Sequence, residues 1–258
     1  MTPDEERIIA HIKSRLEATE VERHPFAHCV VTDLLPDDVY EKILRDWPPP
    51  KLSKASNWAS RKEIHVAQAL PEFPPEIRET WRSVVNWSQV ARDLVFEKLR
   101  PYLAEKFNPL LGQERASQLK LQLQRGPAAF IATYTGRLSM KTHVDHPYIA
   151  VNGFLYVSER DVDEADLGTI LYQSFGLSLP NNELNLPEAF LDRYTRRVKT
   201  VAYRRNVYLA YVNSPFAFHG VAPADIGDRV RRLLMFGTVC EPRTFNEDEQ
   251  KRFVPSRA

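Results

Sequence analysis

Apolar positions change rhythm along this chain, and the change divides it in two. Between residues 4 and 20, Ile8, Ile9, Ile12 and Leu16 recur among charged residues at helical spacing, which predicts a helix with one apolar stripe laid on a larger body. Cys29-Val30-Val31, following His24-Pro25-Phe26, reads as a short apolar strand. Leu35-Pro36-Asp37-Asp38 opens a helix that runs through Trp47 and stops at Pro48-Pro49-Pro50, where the chain lacks the N–H groups a helix needs. Residues 48–75 are rich in Pro, Ser and Lys without a sustained period and read as a loop of the kind that borders a site. Trp87, Ala91, Val95 and Leu99 recur every fourth residue, marking a buried helical face that ends near Pro101.

After Ser117 the pattern shifts to short stretches rich in β-branched and aromatic residues: 118–125, 129–135, 149–157, 168–173, 198–203, 207–212 and 230–239. Short strands separated by turn signals predict an antiparallel sandwich or barrel. The expected fold class is α+β with a mainly β core. Residues 1–115 are expected to form a helical layer packed on a core at 116–245, and 246–258 a polar tail that frays, the whole forming one integrated domain. The link 174–197, with Gly176, Pro180-Asn181-Asn182 and Pro187, is long for such a fold and is expected to border a substrate pocket.

Composition mainly excludes. A chain of 258 residues with 43% hydrophobic and 27% charged residues lies in the range of globular proteins. Its 35 basic and 34 acidic residues give a net charge of +1, so the basic footprint of a nucleic-acid binder is missing. No apolar run approaches the ~20 residues needed to cross a bilayer, and Met1-Thr2-Pro3-Asp4-Glu5-Glu6 is acidic where a signal peptide would be basic. A cytoplasmic protein with a small-molecule partner and no membrane partner is the expectation; the oligomeric state is open. Cys29 and Cys240 read as core thiols rather than a disulfide framework. Trp47, Trp58, Trp81 and Trp87 read as packing residues, and Arg193, Arg196, Arg197, Lys199, Arg204 and Arg205 as a solvated basic face.

The chemistry concentrates in the β region. His143-Val144-Asp145 places an imidazole and a carboxylate at i and i+2, on the same side of an extended segment. His219 follows the apolar run 207–212 and the turn-like Asn213-Ser214-Pro215. Two imidazoles and one carboxylate on one face of an octahedral ion make the facial triad of non-haem iron(II) oxygenases, which leaves positions free for substrate and oxygen. The alternative is two hydrogen-bonded structural histidines and an Asp145 that begins a turn at His146-Pro147. His11, His24, His28 and His65 have no matching partner and read as packing or surface residues.

The residues flanking the candidate ligands separate these readings. Tyr134-Thr135-Gly136-Arg137 precedes His143-Val144-Asp145, and Leu167-Gly168-Thr169-Ile170-Leu171 follows as a glycine-led strand. His219-Gly220-Val221-Ala222-Pro223, then Gly227-Asp228-Arg229, lead into Leu233-Leu234-Met235-Phe236. In this order the chain resembles the 2-oxoglutarate and iron(II)-dependent dioxygenase superfamily, particularly its prolyl-hydroxylase-like and small bacterial hydroxylase branches. The resemblance is good over roughly 125–240 and looser elsewhere, where Pro25-Phe26-Ala27-His28 and Leu35-Pro36 to Trp47-Pro48 look like the N-terminal extension of bacterial members.

The resemblance implies a double-stranded β-helix, a cupin-like jelly-roll, with Fe(II) held by His143, Asp145 and His219. It implies 2-oxoglutarate as cosubstrate and O2 as oxidant, with hydroxylation favoured because the halogenase branch lacks the carboxylate that Asp145 supplies. Arg229 occupies the family's position for the cation that meets the distal carboxylate of 2-oxoglutarate, with Tyr134 able to add a hydroxyl. The pattern departs at Arg231, where Ser or Thr is usual. Alternation along a strand puts Arg229 and Arg231 on one face and Arg232 on the other, with Arg229 expected to be the anchor and Arg231 to flank it. Three functions stay open: an oxygenase for a small metabolite such as an amino acid or natural-product intermediate, a peptide or protein side-chain hydroxylase, and a cupin-like metal isomerase or binding module without turnover.

Overall fold

The computed structural model describes residues 1–55, 61–127, 129–182 and 186–253. In chain order the main elements are α1 (Pro3–Ala18), β1 (His28–Val31), α2 (Asp37–Arg45), β2 (Lys54–Ala55), β3 (Arg61–His65), α3 (Val66–Ala69), α4 (Pro75–Leu99), α5 (Ala104–Leu111) and α6 (Gln113–Ser117). There follow β4 (Phe130–His143), β5 (Ile149–Tyr156), β6 (Glu164–Ser174), α7 (Glu188–Tyr194), β7 (Thr195–Tyr203), β8 (Tyr208–Val212), β9 (His219–Met235), β10 (Thr238–Val239) and α8 (Glu247–Phe253).

Local chemistry sets the helices. Thr2 caps α1, its hydroxyl accepting from the Glu5 N–H at 3.2 Å while the Glu5 carboxylate accepts from the Thr2 N–H at 2.9 Å. The same carboxylate accepts from Asn86 at 2.8 Å, which ties α1 to α4. Ile8, Ile12 and Leu16 of α1 and Trp81, Val84, Trp87, Ala91 and Val95 of α4 lie in the large apolar cluster. Trp81 cannot leave its indole N–H unpaired there, and donates it to the Asp46 carbonyl at 2.6 Å.

The strands form one long antiparallel path, β1-β8-β5-β9-β4-β3-β2, with β6 on β9 and β7 on β6. The two longest strands each serve twice. Phe130–Thr135 of β4 pair with 230–235 of β9, whereas 137–143 pair with 219–225. Gly136, at φ +69°, sits where this register shifts, and Gly227, at φ +56°, bends the partner strand. Side chains from β6 and β7 (Leu167, Leu171, Val201) thereby pack against those from β4, β5, β8 and β9 (Ala132, Phe154, Leu209, Leu233) in one cluster. This is the jelly-roll expected, with the helices covering the other face through Ile64, Ile131, Val212, Leu234 and Phe236.

Three local expectations are corrected. Residues 118–125 make no strand, because only Leu123 finds a bridge, to Cys240, while Leu119 and Leu121 lie against the apolar cluster. The 48–75 segment is not simply loop: β3 pairs with β4 through Arg61↔Tyr134 to His65↔Phe130 and extends the sheet. The C-terminal stretch is not a plain polar tail over 247–253: α8 buries Phe253 and Glu249, the latter bound by Arg115 at 2.8 Å. Trp47, Trp81 and Trp87 pack as expected; Trp58 lies outside the described residues. Both cysteines are buried and free. No described helix is long and apolar enough to cross a membrane.

Candidate metal centre

His143 ends β4 and His219 begins β9, and the ladder makes them cross-strand partners with ring centroids 4.3 Å apart. Glycine next to His219 permits this approach: a Cβ on Gly220 would come within 2.7 Å of the Met140 carbonyl. Asp145, just past the end of β4, turns its carboxylate onto the pair, Oδ1 at 3.8 Å from His143 Nε2 and Oδ2 at 3.6 Å from His219 Nε2. The three residues offer ligand atoms all within 4.8 Å of one another.

Hydrogen bonds fix which ring nitrogens face this point. His143 Nδ1 lies 2.8 Å from the Lys141 carbonyl and His219 Nδ1 2.9 Å from the Ala217 carbonyl. A carbonyl accepts, so each Nδ1 carries the proton and each Nε2 offers its lone pair to the carboxylate side. Burial, reinforced by neighbouring His219, pulls His143 down to about 4, so it is a neutral donor at pH 7. Burial works to raise Asp145, but His219, His143 and the donors Tyr211 and Asn152 hold its carboxyl below the usual range. Two imidazoles and one ionised carboxylate in a buried site suit a divalent first-row metal with open positions.

The loop carrying Asp145 is held from behind. Asn213 accepts from the Asp145 N–H at 3.3 Å and donates to the carbonyls of His146 at 2.9 Å and Ile149 at 3.1 Å. Fully buried Lys106 of α5 in turn donates to the Asn213 carbonyl at 3.0 Å. The 174–197 link flanks the same loop, Leu179 and Leu191 packing with Val144 and Phe218; residues 183–185 lie outside the described set.

A cavity of about 50 Å³ opens onto the three candidate ligands and is also lined by Arg61, Tyr134, Asn152, Thr169 and Arg231. Arg231 is 1% exposed. Its Nε donates to the Leu167 carbonyl at 2.7 Å and Nη2 to Thr169 Oγ1 at 3.2 Å. Its guanidinium lies 5.2 Å from the Tyr134 ring centre, 5.6 Å from Tyr156 and 6.0 Å from Tyr203. No carboxylate among the described residues lies within ion-pair reach of it.

Arg229 is placed elsewhere. It pairs with Asp166 at 2.6 Å and Glu164 at 3.3 Å at the surface, and lines a different, outer pocket with Arg232. Alternation separates Arg232, which pairs with Glu159 at 2.8 Å and lies over Trp47, from Arg231, but Arg229 and Arg231 do not share one face as expected. Arg229 is not brought to the triad because it stands beyond the last residue pair, Thr135↔Val230, before the ladder shifts at Gly136. The cavity reaches only as far as Arg231, opposite Tyr134.

Arg61, Asn152 and Tyr211 were not singled out from the sequence. Arg61 came from a segment read as loop, and no periodicity marks an asparagine in an apolar strand as turning back to an aspartate seven residues earlier, or a tyrosine 66 residues away as joining it.

No protein-family model matches the chain, and no curated protein matches it in sequence. Solved structures do. A prolyl 4-hydroxylase from Phytophthora capsici aligns over 99% of this chain and 77% of its own, with 14% identity and a TM-score of 0.51. The two share a fold. A prolyl hydroxylase from Trichoplax adhaerens, solved with a hypoxia inducible factor peptide fragment, aligns over 98% of this chain and 95% of its own at 11% identity and a TM-score of 0.47. HygX from Streptomyces hygroscopicus, solved with nickel, 2-oxoglutarate and hygromycin B, covers 82% of each chain at 13% identity and a TM-score of 0.47.

Proposed function

We propose that this protein is a non-haem Fe(II) and 2-oxoglutarate-dependent oxygenase that hydroxylates an unactivated C–H bond of a small metabolite. The observation that carries this reading is the pairing, in one cavity, of a His-Asp-His donor set with a buried arginine that has no acidic partner among the described residues. His143, Asp145 and His219 are the residues that would hold the metal, and Arg231, rather than Arg229, the one that would meet the distal carboxylate of 2-oxoglutarate. A planar guanidinium held on two sides by Leu167 and Thr169 suits a bidentate carboxylate.

When bound, iron and 2-oxoglutarate supply the oxidising chemistry, consuming O2 and releasing succinate and CO2. The chain's part is positional. The two Nδ1 hydrogen bonds keep the imidazole lone pairs aimed, and the Asn213 clamp holds the Asp145 backbone. Tyr134 and Tyr156 wall Arg231 off from solvent, so the charge pair forms in a medium where it is strong. Small metabolite and peptide substrates would use the same centre.

Two measurements test the reading. Wild type is expected to bind one Fe(II) per chain under anaerobic titration and to convert 2-oxoglutarate to succinate, whereas His219→Ala does neither; unchanged affinity and turnover in His219→Ala would remove the metal assignment. A screen of amino acids and related acids by mass, in parallel with proline-containing peptides, is expected to show a gain of one oxygen on a small molecule. The same gain on peptides alone would move the protein to the peptide-hydroxylase class, and no succinate under any condition to the isomerase or binding class.

A further inference from the structure

The proposed centre needs positions left open on the metal, two for a chelating 2-oxo acid and one for oxygen. An aspartate can defeat this, since its carboxylate is able to bind a metal through both oxygens and take one of those positions. Something must therefore hold one oxygen of Asp145 away.

Tyr211 and Asn152 meet on Asp145 Oδ2. The Tyr211 hydroxyl donates to it at 2.5 Å and Asn152 Nδ2 at 2.7 Å, and Asn152 also donates to the Tyr211 oxygen at 3.1 Å. Asn152 is itself fixed, because its Oδ1 accepts from the Gly153 N–H at 2.8 Å. Asp145 Oδ1 receives no side-chain donor among the described residues and faces His143 Nε2 at 3.8 Å. The ladder places the two donors as a pair, Asn152 of β5 directly opposite Tyr211 of β8.

Tyr211 also lies 2.9 Å from His219 Nε2. Nε2 is the ring atom that faces the hydroxyl, because Nδ1 bonds the Ala217 carbonyl. A cation held at Nε2 would take over that contact and leave the hydroxyl proton to Asp145.

We propose that Tyr211 and Asn152 are positioning residues that hold Asp145 in single-oxygen coordination, so that the metal keeps a full set of open positions for cosubstrate and oxygen. The inference rests on the metal assignment above. Nothing about the pair requires turnover, so it is read without activity.

The test uses the full chain loaded with Mn(II) or Fe(II) in the absence of oxygen. Metal-bound water is counted by water-proton relaxation with Mn(II), and the visible charge-transfer band is recorded on adding 2-oxoglutarate to the Fe(II) protein. Wild type is expected to hold about three exchangeable waters and to give the band; Tyr211→Phe combined with Asn152→Leu is expected to hold about two and to lose most of the band, with metal affinity within fivefold of wild type. Tyr208→Phe, which removes another buried hydroxyl of β8 that bonds the Phe236 carbonyl, is expected to match wild type. Tyr211→Phe alone keeps the ring packed on Phe26 and Phe154 and serves if the double variant does not fold; it is expected to reduce the band partially.

A wild-type water count and band in the variants would overturn the proposal while leaving the metal assignment intact. An equal loss of bound water and band in Tyr208→Phe would also overturn it, as general loosening of the strand. A wild-type protein that binds no metal ion would remove both.

Discussion

The two faces of the central sheet are built on opposite principles. The face toward the helices is almost purely apolar: Leu234 and Phe236 of β9, Val212 of β8 and Ile64 of β3 pack with Ile8, Ile12 and Trp87. The face inside the jelly-roll buries Arg231, His143 and His219 among Tyr134, Phe154 and Leu233. One strand shows both, since Arg231, Leu233 and Met235 of β9 point inward and Leu234 outward. The helical face is held by removal of apolar area from water; the inner face is arranged by hydrogen bonds, and its charges cost desolvation that a bound anion and cation would offset. Substitutions on the two faces should therefore move different quantities.

The largest separation is expected at Arg231. Removing one partner of a buried charge pair costs about 3–5 kcal/mol, so Arg231→Ala should raise the 2-oxoglutarate requirement at least a hundredfold, read from cosubstrate titration of succinate formation. A wild-type requirement in this variant would break the contrast between the faces.

Lys106 sharpens it, as a charge buried behind the site rather than in it. Burial, partly opposed by the attraction of Cys240 and Asp145, lowers its ammonium to about 8 from an ordinary 10.5. Between those values the unfolded chain binds more protons than the folded one, so stability contributed by this group rises with pH there. Wild type should gain on the order of 3 kcal/mol relative to Lys106→Met between pH 8 and 10.5, measured by urea denaturation at each pH. A constant difference across the window would mean that burial does not lower the Lys106 ammonium.

On the helical face, Ile12→Val should lower stability by about 1 kcal/mol, the cost of one buried methyl group, with the 2-oxoglutarate requirement unchanged. A changed requirement with intact stability would show the faces to be coupled. The smallest effect is expected at Arg229, whose surface pairs with Asp166 and Glu164 are worth about 0–1 kcal/mol in stability. Arg229→Ala should shift the 2-oxoglutarate requirement less than threefold; a hundredfold shift there, with Arg231→Ala silent, would reverse the assignment of the two arginines.

Much of the architecture was legible locally. Helical spacing marked α1 and α4, and apolar runs marked β1, β5 and β8, because side-chain periods of 3.6 and 2 follow from backbone geometry alone. The H-x-D pair declared itself for the same reason, residues i and i+2 of an extended segment sharing a side. What failed locally was pairing. Residues 118–125 have strand-like composition but no ladder partner beyond one bridge, whereas Arg61 to His65 looked like loop and became a strand because β4 offered an open edge.

The sequence by itself marked the candidate donors, His143, Asp145 and His219, the strand-forming stretches around them, and the alternation that sets Arg232 apart from Arg231. Only the tertiary structure decided which arginine enters the cavity and which donors surround Asp145. Alternation is a property of one strand, but how far a cavity extends along that strand depends on where two bent strands change register, here at Gly136 and Gly227. Tyr211 joins Asn152 on Asp145 because β5 and β8 are adjacent in the closed sheet, a relation between segments distant in the chain that no window of sequence contains.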